Sequence, residues 1–240
     1  MLTVDLKRLG LSPGQKVLDV GCGTGRHVCA LARMKGLRVI GSDIKYTELA
    51  EARKRLEYEY EWHTYRAKSC GLVAASMDLL PFRDGFFDAV LCTEVLEHLP
   101  DISGALKELT RVVKHGGQLA VSVPRYYPEK ICWWLSRSYA QSSGGHVRIF
   151  RATQLKHEIE RHGFINWASH YAHSLHTPYW WLKCIVGMEN NNALVRKYQQ
   201  FLEWEIMNRP RITRVLDSIL NPVLGKSLVM YFKKVSHECR

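Results

Sequence analysis

The chain has 240 residues, 46% hydrophobic and 24% charged, the balance of an ordinary globular protein, which excludes a disordered or low-complexity polymer. Its length suits one generous domain, or one domain carrying a subdomain. Its 34 Lys and Arg against 23 Asp and Glu leave +11, a surplus that attracts phosphate-bearing partners without choosing among nucleic acid, an anionic membrane and a small ligand.

The first half alternates short apolar runs with helical periodicity. Lys16–Val20 reads as a buried strand running into Gly21-Cys-Gly-Thr-Gly25, and residues 26–35 as a helix with Val28, Leu31 and Ala32 on one face. A second strand spans 37–40 and ends at Asp43, followed by a charged surface helix from Thr47 to about Tyr60. Strands at 72–75 and 87–91, an amphipathic helix at 102–114 and a fifth strand at 118–123 complete this half. This pitch predicts an α/β fold of βαβ units, with helices on both faces of a mostly parallel sheet.

The second half differs. Residues 125–150 lack clear periodicity and carry Tyr126, Tyr127, Trp133, Trp134 and Tyr139. A helix follows at 153–162, with Thr153 as its expected cap, then a sixth strand at 164–171 and a seventh at 226–232. Between those strands two helical stretches are expected, one around Leu194–Leu202 and one from Ile212 to Leu220, ended by Asn221-Pro222. The division expected is therefore 1–173 with 226–240 as the main domain and 174–225 as a helical cap, with 125–150 as a lid. Seven cysteines with no CxxC pair suit a reducing compartment. No apolar run approaches the ~20 residues that cross a bilayer, and charges fall within the first eight residues, so a cytoplasmic protein is expected.

The glycine loop follows a strand and opens a helix, where the backbone approaches a ligand closely and unpaired N–H groups face it. Asp43 ends the next strand, where an acid accepts the ribose hydroxyls of a nucleoside. Asp19, two residues before the first glycine, favours a ligand carrying positive charge over a pyrophosphate. S-adenosylmethionine, with its ammonium and sulfonium, is such a ligand.

With these motifs the chain resembles the class I S-adenosylmethionine-dependent methyltransferases. Residues 17–25 match the family's first motif, Gly41-Ser-Asp43 its ribose-binding acid, Ser76-Met-Asp78 the residues beside adenine, and Thr93–His98 the segment beneath the methyl donor. The resemblance implies a Rossmann-like seven-stranded sheet, with the cap inserted between strands six and seven. It also implies cofactor contacts in the loop at Asp19, Gly21, Cys22, Gly23, Gly25 and Arg26, at Asp43 and Ile44 after the second strand, at Met77, Asp78 and Leu79, and at Thr93.

Transfer to a hydroxyl requires removal of a proton, and histidine is the usual base near neutral pH. His98, after the fourth strand, and His146, in Gly144-Gly-His-Val-Arg148, are the candidates. If 94–98 is helical, Glu94, Glu97 and His98 share a face and could hold a divalent cation such as Mg2+; this segment is similar to that of quinone-biosynthesis O-methyltransferases. Tyr126, Tyr127 and Trp133 are candidate walls of an acceptor pocket. Trp180-Trp181 reads as core packing of the cap, with a peripheral membrane contact through the cap as the alternative.

The place after the fourth strand lacks the Asn/Asp-Pro-Pro-aromatic motif of base-methylating enzymes, and charge divides almost evenly, +5 before residue 151 and +6 after it. Within the cap, Arg209, Arg211 and Arg214 form the one tight cluster. Nucleic acid is therefore not expected as a partner. Segments such as Gly144–Ile149 and Thr177–Cys184 resemble a bacterial subgroup linked to methylation of polysaccharide sugars. The expected acceptor is a hydroxyl on a glycan or other small molecule, with a quinone or lipid acceptor, or a non-catalytic cofactor-binding module, as alternatives.

Overall fold

The computed structural model describes residues 2–141, 145–190, 192–208 and 210–235; Gly144, Arg209 and Cys239 lie outside them. Strands β1 (Lys16–Val20), β2 (Arg38–Asp43), β3 (Ser69–Ala74), β4 (Phe87–Thr93), β5 (Val113–Pro124), β6 (Phe164–Ala172) and β7 (Ser227–Lys234) form one sheet in the order β3-β2-β1-β4-β5-β7-β6. The first five pair in parallel, and β7 enters antiparallel between β5 and β6. This is the α/β, seven-stranded, mostly parallel Rossmann-like sheet expected. From β1 the chain winds outward through β2 and β3, then returns to β4 on the other side. That switch point opens a crevice at the carboxyl ends of β1 and β4, where doubly wound sheets bind ligands.

β1 and β4 are covered on both faces, which is why Val17–Val20 and Ala89–Thr93 read as continuous apolar runs without alternation. On one face, Leu18, Val90 and Leu119 pack beneath α3 (Ser103–Val112) and α6 (Ala152–Arg161). On the other, Val17, Leu91 and Tyr231 pack with Leu31 of α1 (Arg26–Ala32) and Leu49 of α2 (Tyr46–Glu61). The N-terminal segment closes over this second face. His27 Nε2 accepts from the backbone N–H of Thr3 (3.3 Å) and Val4 (3.4 Å), so its Nδ1 carries the proton and donates to Thr93 Oγ1 at 3.3 Å.

The second half departs from the expectations in its helices. Residues 125–150 contain α4 (Tyr126–Leu135) and the short α5 (Arg137–Ala140), and three helices stand between β6 and β7: α7 (His176–Val186), α8 (Ala193–Asn208) and α9 (Arg211–Leu224). α4 and α7 pack against each other; α4 turns Tyr127, Lys130 and Trp134 outward, two of them aromatic, and α7 exposes only Ile185, so neither presents a polar stripe from which a period can be read. α9 runs through Pro222 to Leu224, and its last carbonyls find side-chain donors, Arg125 Nη1 to Val223 O (3.0 Å) and Thr177 Oγ1 to Leu224 O (2.6 Å). α6 begins at Ala152 after an extended Arg151 and has no side-chain cap, so Thr153 does not cap it. Leu175, Tyr179, Val195 and Leu202 form a small apolar cluster of their own among α7–α9.

Burial holds three histidines neutral. It depresses His27 to about 3 and His176 to about 4, and places His173 well below its ordinary value. In the unfolded chain each takes a proton near pH 6.5. The unfolded state therefore binds more protons below that pH, and their contribution to stability is lost as pH falls through 6.5 toward 4. Replacing one of them, His176→Leu, should reduce the slope of unfolding free energy against pH between 6.5 and 4 by about one proton, ~1.4 kcal/mol per pH unit. Urea unfolding at several pH values measures this slope.

Candidate active site

The loop between β1 and α1 passes through three residues at positive φ, Gly21 (66°), Gly23 (51°) and Gly25 (79°). A Cβ at Gly25 would also lie 2.8 Å from Ala52 Cβ, so the loop packs on α2 only without a side chain there. Asp43, at the end of β2, braces it: Oδ2 accepts from Gly23 N–H at 2.8 Å and Oδ1 from Lys45 N–H at 2.9 Å. Two lone-pair directions of the carboxylate stay available to hydroxyls. Cys22 is buried beside this turn, its thiol pushed up by desolvation.

Asp19 is fully buried at the end of β1, and neither carboxylate oxygen has a hydrogen-bond partner among the described residues. Desolvation drives its pKa up to about 7, against the attraction of the Arg26 guanidinium. A dry, unpaired carboxylate at a glycine loop is a built receptor for a cation. At the other end of the cradle, Ile44 (66% exposed) and Leu79 (78% exposed) present apolar side chains to solvent beside Asp43 and the exposed Asp78, while Met77 lies buried beneath. The donor set thus fits S-adenosylmethionine: carboxylates for its ammonium and ribose, apolar edges for its adenine.

Beyond β4 the backbone does not continue as a helix from Glu94. Glu94 sits at φ 55°, its N–H held by Ser122 O (2.9 Å) and its Oε1 accepting from Ser122 Oγ (2.8 Å), and only Leu96–His98 forms a 3-10 turn. The expected helical face of Glu94, Glu97 and His98 therefore does not form. The described residues instead bring one carboxylate oxygen of Glu97 and one ring nitrogen each of His98 and His146 within 4.8 Å of one another. Two imidazoles with one carboxylate are not the oxygen-only set that Mg2+ takes.

Both histidines are oriented from behind. His98 Nδ1 donates to Gly145 O (3.1 Å), and His146 Nδ1 donates to Glu129 Oε1 (2.6 Å), so the Nε2 lone pair of each remains free. Glu129, buried in α4, also accepts from Trp133 Nε1 and from Tyr139 OH, both at 3.2 Å. Burial alone would push its carboxyl up, but the His146 bond and the nearby Lys226 hold it below the usual range.

Burial pushes the Glu97 carboxyl well above the usual range, and Lys226, just before β7, only partly opposes this. Burial depresses His176, with Lys226 adding to it, and the Lys226 ammonium lies 5.0 Å from the Trp180 ring centroid. It is the central cation of this region and was missed in the sequence, where a lysine at a strand start carries no signal. The tyrosines expected as walls stand apart: Tyr127 is 70% exposed, and Tyr126 meets Arg151 and Lys130 at the surface of α4. Trp133 alone of the three reaches the His146 cluster, through Glu129. Trp181 donates to Pro128 O (3.1 Å) and Trp180 packs on Tyr139 and Tyr179, so this pair does pack the cap.

The strand order and the residues at the carboxyl edge of the sheet are those expected of the methyltransferase fold. Residues 18–121 match the model of the methyltransferase domain. Over 122 residues (48% of this chain, 40% of the relative) the chain is 37% identical to Methyltransferase GfsG of Streptomyces halstedii. It is 34% identical over 115 residues to O-methyltransferase resE of Aspergillus sclerotiorum (48% and 42%) and 37% over 109 to the cycloartenol-C-24-methyltransferase of Arabidopsis thaliana (45% and 31%). The chain thus spans less than half the length of these curated relatives. Among solved structures, a SAM-dependent methyltransferase of Methanosarcina mazei superposes with a TM-score of 0.64 at 16% identity (97% and 98% of the chains), and the [4+2]-cyclase SpnF with 0.61 at 20% (95% and 78%). Residues 18–121 thus resemble a methyltransferase domain, and the chain as a whole has the fold of solved S-adenosylmethionine-dependent methyltransferases.

A cationic ligand favours the ionised form of Asp19, so its binding expels a proton at pH values below about 7. Affinity for S-adenosylmethionine should rise as pH increases from 6 to 8. In Asp19→Asn it should be weaker and flat over that range. Titration calorimetry in buffers of different ionisation enthalpy reads both affinity and protons released.

Proposed function

We propose that the chain methylates a hydroxyl oxygen on a glycan or other small molecule, using S-adenosylmethionine. The observation that carries this reading is the placement of two imidazoles with free Nε2 lone pairs after β4, on the same sheet edge as the unpaired Asp19. When bound, S-adenosylmethionine supplies an electrophilic methyl group on a sulfonium. The chain has then to hold an acceptor oxygen in line, exclude water and accept the hydroxyl proton at a histidine Nε2, a contribution of ~10²–10⁴-fold. His146, held by Glu129, and His98, held by Gly145 O, are the groups that do so. The name of the Aspergillus relative supports oxygen as the acceptor atom; that of the Arabidopsis relative points to carbon, for which no hydroxyl base is needed.

Residues 174–225 are taken as the acceptor-facing cap, with 125–150 as its lid. A second reading, a quinone or lipid acceptor met at a membrane surface, is favoured by α9, which exposes Ile212, Val215, Leu216, Ile219 and Val223 along one side. No helix among the described residues is long and apolar enough to cross a membrane. The fold shared with a cyclase keeps a cofactor-binding domain with other chemistry as the reading from another class.

A screen of hydroxylated sugars, phenols and hydroquinones with methyl-labelled cofactor tests the class of acceptor. Asp43→Ala should weaken cofactor binding at least tenfold. His98→Ala and His146→Ala should each lower turnover about a hundredfold while leaving that binding intact. Turnover confined to carbon acceptors, or unchanged in both histidine variants, would overturn the hydroxyl reading.

A further inference from the structure

We propose that Glu97, His98 and His146 form a binding site for one divalent transition-metal ion, of the Zn2+, Mn2+, Fe2+ or Co2+ kind, with an open position facing the acceptor.

Three observations converge. The ligand atoms already cluster: one Glu97 oxygen and a nitrogen of each imidazole lie within 4.8 Å of one another, and donors ~2.1 Å from a common ion sit ~3–4 Å apart. A modest rotation of the exposed His98 closes the difference. The second observation is Glu97 itself. It has no exposed surface, and neither carboxylate oxygen has a partner among the described residues. Ionised or protonated, a dry carboxyl without a partner is costly, and a cation supplies what it lacks. Lys226 is close enough to be felt by Glu97, yet the described residues show no ion pair between them.

The third observation is the orientation of the imidazoles. A carbonyl and a carboxylate can only accept, so both Nδ1 atoms carry protons and both Nε2 atoms offer lone pairs. Glu129 behind His146 reproduces the carboxylate–histidine arrangement that fixes metal-bound imidazoles. Val147 N–H also donates to Glu97 O at 2.9 Å, tying the His146 loop to the 3-10 turn. Two nitrogen ligands and one carboxylate select a borderline transition ion over Mg2+ or Ca2+, and three protein ligands leave room for an acceptor oxygen.

The role in the reaction rests on the hydroxyl reading above. The histidines would then act as ligands in place of a base, and the ion would lower the pKa of the bound hydroxyl so that its proton passes to solvent water as the methyl group arrives.

The test uses the untagged full chain, stripped of metal and titrated with Co2+ as a spectroscopic probe. One equivalent should bind, with visible absorption characteristic of nitrogen ligation. Glu97→Gln and His146→Ala should weaken it at least a hundredfold, Glu129→Gln about tenfold, and Glu94→Gln not at all. Cofactor affinity, unchanged in each variant, shows that the fold is intact. Absence of a stoichiometric site, or Co2+ affinity unaffected by Glu97→Gln and His146→Ala, would overturn the inference. Turnover that persists in the stripped enzyme would defeat the catalytic role and leave the hydroxyl reading standing; a confirmed ion site in an enzyme that methylates no hydroxyl would do the reverse.

Discussion

Asp19 is a carboxylate buried at the centre of the sheet, and the structure around it is arranged so that nothing within the chain neutralises it fully. β1 delivers it to the switch point between β2 and β4, the one place in a doubly wound sheet where strands diverge and a ligand can enter. Apolar residues of both faces surround the strand and deny it water, while Arg26 offsets only part of the cost. The glycine loop then turns away sharply enough to keep the space above it clear. The resulting site has its binding energy stored in advance: the desolvation of Asp19 is already suffered in the folded chain, and a cation that arrives recovers it.

The same logic recurs at Glu97. Both acids are fully buried, both lack hydrogen-bond partners among the described residues, and both lie at the carboxyl ends of neighbouring strands. Behind them stand groups that make hydrogen bonds with the chain: Glu129 orients His146, Ser122 fixes Glu94, and Asp43 braces the glycine loop while keeping two lone-pair directions for a ligand. Acids with partners hold the architecture, and acids without them mark where it is unfinished.

Much of this was legible in the sequence where one residue type has one physical use. Three glycines after an apolar strand mean positive φ and close approach, and the doubly buried strands betray themselves by lack of alternation. The site beyond β4 was less legible because it depends on separation in sequence. Glu97 and His146 meet across 49 positions, and the αL conformation of Glu94, which rotates its side chain toward Ser122, is invisible in a pattern that reads well as a helix. α4 escaped because its exposed face is largely aromatic, α7 because it is covered on most sides, and the link from His27 to Thr3 and Thr93 because a buried histidine looks like any other. Lys226 gains its importance only from the neighbours that folding gives it.

The pairing of β6 with β7 runs to its last rung at Ala172 and Ser227, and the three cap helices leave and return between those two residues. The sheet therefore closes at the base of the cap independently of what lies above, and the cap's apolar cluster is separate from the clusters on either sheet face. Because the entropy of closing a loop grows only logarithmically with its length, such a hairpin tolerates an insert of almost any size. The sheet and the cap helices can thus diverge at different rates, with Lys226, at the foot of the hairpin, close to groups of both.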